Sequence, residues 1–180
     1  EGNVEMTSTE HKCGSDRIKE VAMRHPEISY IVNLQGDEPL IKPESIDEVA
    51  KNVKFDDTAD ISTLIRKITP EEAENPNLVK CIVDCNGFAM YFSRSKIPFE
   101  RNIGKADFYG HLGIYGYKRD ALIKMTELPQ STYEQAESLE QLRALQNGMK
   151  IKTSVVDFVP VGIDTAEDLE HFKAIVAKSV

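Results

Sequence analysis

The chain has 180 residues, of which 41% are hydrophobic, and this predicts a single domain with a sizeable core. A net charge of −8 excludes a general nucleic-acid binder, and without a long apolar span or a signal-like start neither membrane insertion nor secretion is expected. Cys13, Cys81 and Cys85 form an odd set without framework spacing, which predicts structural thiols in a reducing compartment, the cytoplasm.

In chain order, Ser15 precedes a helix carrying Ile18, Val21 and Ala22. A β-rich strand follows at Tyr30–Leu34. Pro43 suits the first turn of a helix with Ile46, Val49, Ala50 and Val53 on one face. Ile61–Ile65 reads as a strand, and this strand–helix–strand order predicts a parallel sheet. Val79–Asp84 and Phe88–Ser93 flank Cys85-Asn86-Gly87, a strong hairpin signal. Cys81 and Cys85 would then lie about 13 Å apart, too far for a disulfide or a shared zinc ion. Arg101–Tyr109 is polar, contains Gly104 and reads as a mobile loop; His111–Tyr117 reads as a further strand. Ser131 and Glu134 fit a capping box for a helix carrying Leu139, Leu142 and Leu145, stopped by Gly148. Lys150–Val156 alternates as a strand, and Thr165 with Asp168 caps a last helix.

The residues that could carry chemistry each have two readings. Asp37, in Gln35-Gly36-Asp37-Glu38-Pro39, fits a metal ligand beside nucleotide phosphates or a polar turn. Asp164, beyond the last predicted strand, fits a second metal ligand or a helix N-cap with Glu167; Thr165 and Asp168 can do that capping instead. Ser15 fits a simple N-cap or, with Gly14, a helix N-terminus open to an anion. Arg101 fits a solvated loop position or bidentate capture of a carboxylate. His111, Tyr115 and Tyr117 share one strand face, suiting a core, an interface or a pocket wall. Glu140 and Gln141 occupy polar positions among helix leucines. Lys80 fits an edge strand or a phosphate contact. Sequence establishes no nucleophile constellation.

Several blocks together are specific. His11-Lys12-Cys13-Gly14-Ser15-Asp16-Arg17, Gln35-Gly36-Asp37-Glu38-Pro39, Tyr91-Phe92-Ser93-Arg94 and His111-Leu112-Gly113-Ile114-Tyr115-Gly116-Tyr117 come first. Leu139-Glu140-Gln141-Leu142-Arg143 and Gly162-Ile163-Asp164-Thr165-Ala166-Glu167-Asp168-Leu169 complete the set. In these blocks, which span almost the whole chain, it resembles the cytidylyltransferases that activate 3-deoxy-manno-octulosonate (Kdo), the CMP-Kdo synthetases. Cys13 departs from the small hydroxyl residue of many relatives.

The resemblance implies a Rossmann-like nucleotide-diphospho-sugar transferase fold. The expected sheet is mostly parallel, in a single α/β domain, with an antiparallel insertion over 79–117 that serves the sugar site and a homodimer. It implies transfer of a cytidylyl group from CTP to Kdo, giving CMP-Kdo and pyrophosphate for lipopolysaccharide biosynthesis. Asp37 and Asp164 would be the catalytic pair, holding Mg²⁺. His11, Gly14, Ser15, Arg17 and Gln35 would bind the nucleotide. Arg101, His111, Tyr115, Glu140 and Gln141 would bind the sugar. The family's basic, glycine-containing phosphate loop precedes the matching blocks, so the expectation is the larger C-terminal part of such an enzyme, inactive by itself. Two alternatives stand beside this reading: a related acidic sugar (8-amino-Kdo or a sialic acid), or a non-catalytic dimerisation or regulatory module.

Overall fold

The computed structural model describes residues 3–11, 13–36, 38–158, 162–163 and 165–179. Helix α1 (Gly14–Arg24) leads into strand β1 (Tyr30–Asn33), then α2 (Pro43–Phe55) and β2 (Ile61–Ile68). A single 3₁₀ turn (Glu72–Glu74) precedes the hairpin of β3 (Lys80–Val83) and β4 (Ala89–Ser93). Strand β5 (Phe108–Lys118) runs straight into α3 (Arg119–Glu127). Helices α4 (Thr132–Glu137) and α5 (Gln141–Gln146), strand β6 (Ile151–Val155) and helix α6 (Ala166–Ser179) complete the order. No helix among the described residues is long and apolar enough to cross a membrane.

Local chemistry explains several boundaries. Pro43 opens α2, where its missing N–H costs nothing. Gly87 sits at φ 78° in the hairpin turn, where a side chain would be strained. Ser131 and Glu134 form the reciprocal capping box of α4. Thr165 and Asp168 cap α6 in the same reciprocal way, with N–H to side-chain oxygen distances of 2.8 and 3.2 Å.

The helix expected to run from Ser131 to Gly148 is two helices. Ser138 adopts the left-handed conformation (φ 52°, ψ 49°) and breaks it. Helix α3 has no counterpart in the sequence reading. Its N-cap, Lys118, makes no side-chain cap, so neither a capping residue nor a loop marks its start.

The sheet also departs from expectation. Its order is β4-β3-β5-β2-β6, with β1 also paired to β5. Among the described residues only β2–β6 is a parallel pair; β1–β5, β2–β5, β3–β4 and β3–β5 are antiparallel. The mostly parallel sheet is therefore corrected to a mixed, mainly antiparallel one. The reason is topological. β1, β2 and β6 do run the same way, as strand–helix–strand order requires, but β5 runs the other way and lies between β1 and β2. The α/β class itself holds.

Two apolar layers cover the sheet. Ile61, Ile65, Phe92, Tyr117, Leu122, Leu142 and Ile151 pack on one face, with α3 and α5. Val49 of α2 packs with Leu64, Leu112 and Ile114 on the other. β2 is buried at Ile61 through Ile65, as a strand with both faces covered must be.

The α2 face is close-fitting at Gly116. A Cβ there would lie 2.5 Å from Ser62 Oγ, 2.7 Å from Val49 Cγ1 and 2.9 Å from the Val49 carbonyl. The Ser62 hydroxyl donates to that same carbonyl at 2.7 Å, so the neighbours cannot retreat without losing a buried hydrogen bond. Gly116→Ala should therefore destabilise the fold by about 1–3 kcal/mol through overpacking. Urea unfolding followed by circular dichroism checks this, and an unchanged midpoint would show that α2 can move away freely.

Candidate active site

Two elements meet beside the C-terminal half of β5: the start of α1 and the start of α5. Their junction is Glu140, the N-cap of α5. Its Oε1 accepts from the Cys13 thiol at 2.9 Å and its Oε2 from the Ser15 hydroxyl at 2.9 Å. Cys13 is the N-cap of α1 and makes no side-chain cap, while Ser15 lies inside the first turn and is 2% exposed. Ser15 is thus a link to α5 and not the N-cap of its own helix. Burial, aided by the hydrogen bond to Glu140, pushes the Cys13 thiol up to about 12, so it stays protonated and a donor.

Next to this clamp, Tyr115, Tyr117, Glu140 and Gln141 line a cavity of about 20 Å³ with Ile61 and Met125. That is room for about one water molecule. Tyr115 and Tyr117 stack at 5.9 Å between ring centroids, and Tyr115 meets His111 at 5.3 Å. Phe92 of β4 stands edge-on to His111 at 5.1 Å. The expected common face of His111, Tyr115 and Tyr117 is therefore real. Burial raises the Tyr115 and Tyr117 phenols above their usual range and pushes His111 down to about 3. Burial thus favours the neutral imidazole of His111.

The other expected nucleotide residues are placed as follows. A Cβ on Gly14 would meet nothing within 4 Å, so the α1 N-terminus is open at that point. Gln35 is exposed just beyond β1, with its Cγ 3.9 Å from where a Cβ of Gly113 would be. His11 is paired with Glu20 of α1, and Arg17 donates to Thr7 and to the Ser8 carbonyl, 3.1 Å away. These two side chains hold the segment before α1 against that helix.

Arg101 is exposed in the loop after β4, and among the described residues its guanidinium has no hydrogen bond or ion pair. The loop is organised by Glu100, whose Oε1 accepts from the N–H groups of Gly104, Lys105 and Ala106 at 2.7, 3.0 and 3.2 Å. Lys80 is neither an edge lysine nor an open phosphate contact. It is fully buried on β3 between β4 and β5, and its ammonium donates to the carbonyls of Asn75, at 2.9 Å, and Arg94. Asp37 and Asp164 lie outside the described residues, and among the described residues no acidic, His or Cys cluster could hold a metal.

Thr63 and Phe92 stand against His111; Thr63 was not singled out from the sequence, and Phe92 only as part of the Tyr91–Arg94 block. Thr63 is fully buried on β2, with its hydroxyl 2.9 Å from Nε2 of His111. Each looks like an ordinary strand residue, and only the pairing of distant strands brings it to His111.

The thiols give a direct check of the clamp. Cys85 is exposed, Cys81 buried and Cys13 half-buried and hydrogen-bonded. A maleimide at pH 8 should label Cys85 first and Cys13 far more slowly. Glu140→Gln weakens the hold on the thiol proton and should speed labelling of Cys13 several-fold without changing that of Cys85. Equal Cys13 rates in the two proteins, read by peptide mass spectrometry, would show that Glu140 does not restrain it.

The family profile described as Cytidylyltransferase matches residues 1–151. The chain is 46% identical to a 3-deoxy-manno-octulosonate cytidylyltransferase of Pelodictyon phaeoclathratiforme, over 98% of this chain and 73% of that protein. It is 41% identical to the enzyme of the same name from Escherichia coli, over 99% of this chain and 72% of that one. Among solved structures, a CMP:2-keto-3-deoxy-manno-octonic acid synthetase complexed with CTP superposes with a TM-score of 0.94 at 41% identity, covering 99% of this chain and 74% of that one. A glucose-1-phosphate thymidylyltransferase structure from Bacillus anthracis shares the fold alone, with a TM-score of 0.60 at 13% identity.

Proposed function

The chain belongs to the cytidylyltransferase family, and on that premise we propose that it transfers a cytidylyl group from CTP to the anomeric hydroxyl of Kdo, releasing pyrophosphate. The observation that carries this reading is the clamp of Glu140 on Cys13 and Ser15, each at 2.9 Å. It joins the segment assigned to the nucleotide to the helix assigned to the sugar. Such chemistry needs two substrates held in line more than it needs a covalent intermediate.

Roles follow for the chain's own residues. Gly14 leaves the α1 N-terminus open to a polar nucleotide edge, and Gln35, just beyond β1 and beside Gly113 of β5, supplies a second polar contact; His11, Ser15 and Arg17 fix the segment that carries Gly14. Tyr115, His111, Glu140 and Gln141 form the wall that receives the sugar hydroxyls. Arg101, whose guanidinium has no partner among the described residues, receives the sugar carboxylate. Product for lipopolysaccharide biosynthesis is the metabolic role this activity fits.

Nucleotidyltransferases of this kind use a divalent metal. We assign Mg²⁺ to Asp37 and Asp164, whose carboxylates are the hard oxygen donors that ion takes. Bound there it would neutralise triphosphate charge. We further propose a homodimer through 79–117, where Met90, Phe99 and Ile103 are 62%, 89% and 92% exposed and association would cover them. Free thiols fit a cytoplasmic location.

Pyrophosphate release from CTP, Kdo and Mg²⁺, measured with the chain joined to a relative's phosphate-loop segment, tests the activity, and the variants below are made in that protein. Asp37→Asn and Asp164→Asn should each lower kcat at least about a hundred-fold, since a lost metal ligand removes several kcal/mol of charge stabilisation. Near-normal turnover of either variant at saturating Mg²⁺, with an unchanged circular dichroism spectrum, would remove that residue from the metal site.

Arg101→Ala should raise the KM for Kdo roughly ten- to a hundred-fold, the worth of a charged hydrogen bond of about 1.5–3 kcal/mol, and leave the KM for CTP unchanged. Equal KM values for Kdo would make Arg101 a solvated loop residue.

A further inference from the structure

The ladder between β2 and β5 slips at one point. Thr63 pairs with Tyr115, but the next residue, Leu64, pairs with Leu112, which leaves Gly113 and Ile114 without partners in β2. The Thr63 hydroxyl fills the irregularity. Its Oγ1 lies 2.8 Å from the Ile114 carbonyl, 3.2 Å from the Leu112 carbonyl and 2.9 Å from Nε2 of His111. Thr63 is fully buried, so water does not compete for these contacts.

Proton counting fixes the arrangement. A hydroxyl has one proton to donate and two lone pairs. The two carbonyls can only accept. Were the proton given to His111, both carbonyl oxygens would face lone pairs of Oγ1. The proton therefore goes to a carbonyl, Ile114 being the nearer, and Nε2 must carry a hydrogen and donate it to Oγ1. In a neutral imidazole this leaves Nδ1 as a bare acceptor. Nδ1 has no hydrogen-bond partner among the described residues. His111 is half-buried and no fully buried side-chain nitrogen or oxygen among them lacks a partner, so Nδ1 is not sealed off. The contacts with Phe92 and Tyr115 hold the ring plane.

We propose that Thr63 is a positioning residue, which locks His111 in its Nε2–H tautomer so that Nδ1 accepts a hydrogen bond from a hydroxyl group of the sugar. The proposal rests on the reading of His111 as part of the sugar pocket. It adds a specificity rule. A permanent acceptor welcomes a hydroxyl and repels a carboxylate oxygen, so the sugar enters with a hydroxyl toward β5 and its acid group elsewhere. The opposite tautomer would present N–H at that point and reward the reversed pose.

The experiment compares Thr63→Val, Thr63→Ser and His111→Gln in the same joined protein. Long-range ¹H–¹⁵N spectra of the labelled protein report the tautomer of His111, with His111→Gln supplying the assignment. The wild type should show one tautomer, with Nε2 protonated and Nδ1 pyridine-like. Thr63→Val, nearly the same shape, should give a mixture and raise the KM for Kdo roughly ten-fold with the KM for CTP unchanged. Thr63→Ser should restore both readouts. A wild-type His111 protonated at Nδ1 overturns the proposal. So does a Thr63→Val protein with normal KM for Kdo when His111→Gln raises it. A normal KM for Kdo in His111→Gln itself defeats the pocket reading, and the proposal with it, and leaves the tautomer measured.

Discussion

Strand β5 has to be satisfied on every side at once. Its edges pair with β1 and β3 on one flank and with β2 on the other, and its faces are covered by two separate apolar layers. A strand so placed pairs on both edges over much of its length, and its buried backbone groups must find partners inside the protein. The slip at Gly113 and Ile114 meets that demand. Because it passes over two residues, the side-chain alternation resumes on the same faces, and His111 and Tyr115 remain neighbours across it. A slip of one residue would have put His111 on the opposite face from Tyr115 and Tyr117. The buried Thr63 hydroxyl then takes up the carbonyls that the slip releases.

Glu140 solves a different problem. It joins two segments that sequence separates by most of the chain, and it does so with neutral donors, a thiol and a hydroxyl. Its carboxylate stands beside tyrosines that burial holds protonated and able to donate.

Features set by nearby residues were legible from the sequence. Asn86-Gly87 gave the hairpin, Pro43 the start of α2, and Ser131 with Glu134 and Thr165 with Asp168 their caps, because each acts within a few residues. The aromatic face of His111, Tyr115 and Tyr117 followed from strand alternation alone. What could not be read depends on distant pairing. The position of β5 between β1 and β2, which makes the sheet mainly antiparallel, is decided by which strands meet. The buried Lys80 and Thr63 looked like surface or ordinary strand residues for the same reason. Ser138 breaks a pattern whose leucines have helical spacing throughout, since a left-handed residue other than glycine leaves no compositional mark. The family resemblance named the site segments, but not that Ser15 and Glu140 bind each other.

That break at Ser138 also sets an electrical polarity. An uninterrupted helix from α4 to α5 would have carried Glu140 in its middle, among peptide dipoles that cancel. Ending α4 and starting α5 afresh puts Glu140 at the N-terminal, positive end of a short helix. A negative side chain is favoured there, so the energy spent on one left-handed residue is offset by a better seat for the carboxylate on which the two halves of the cleft converge.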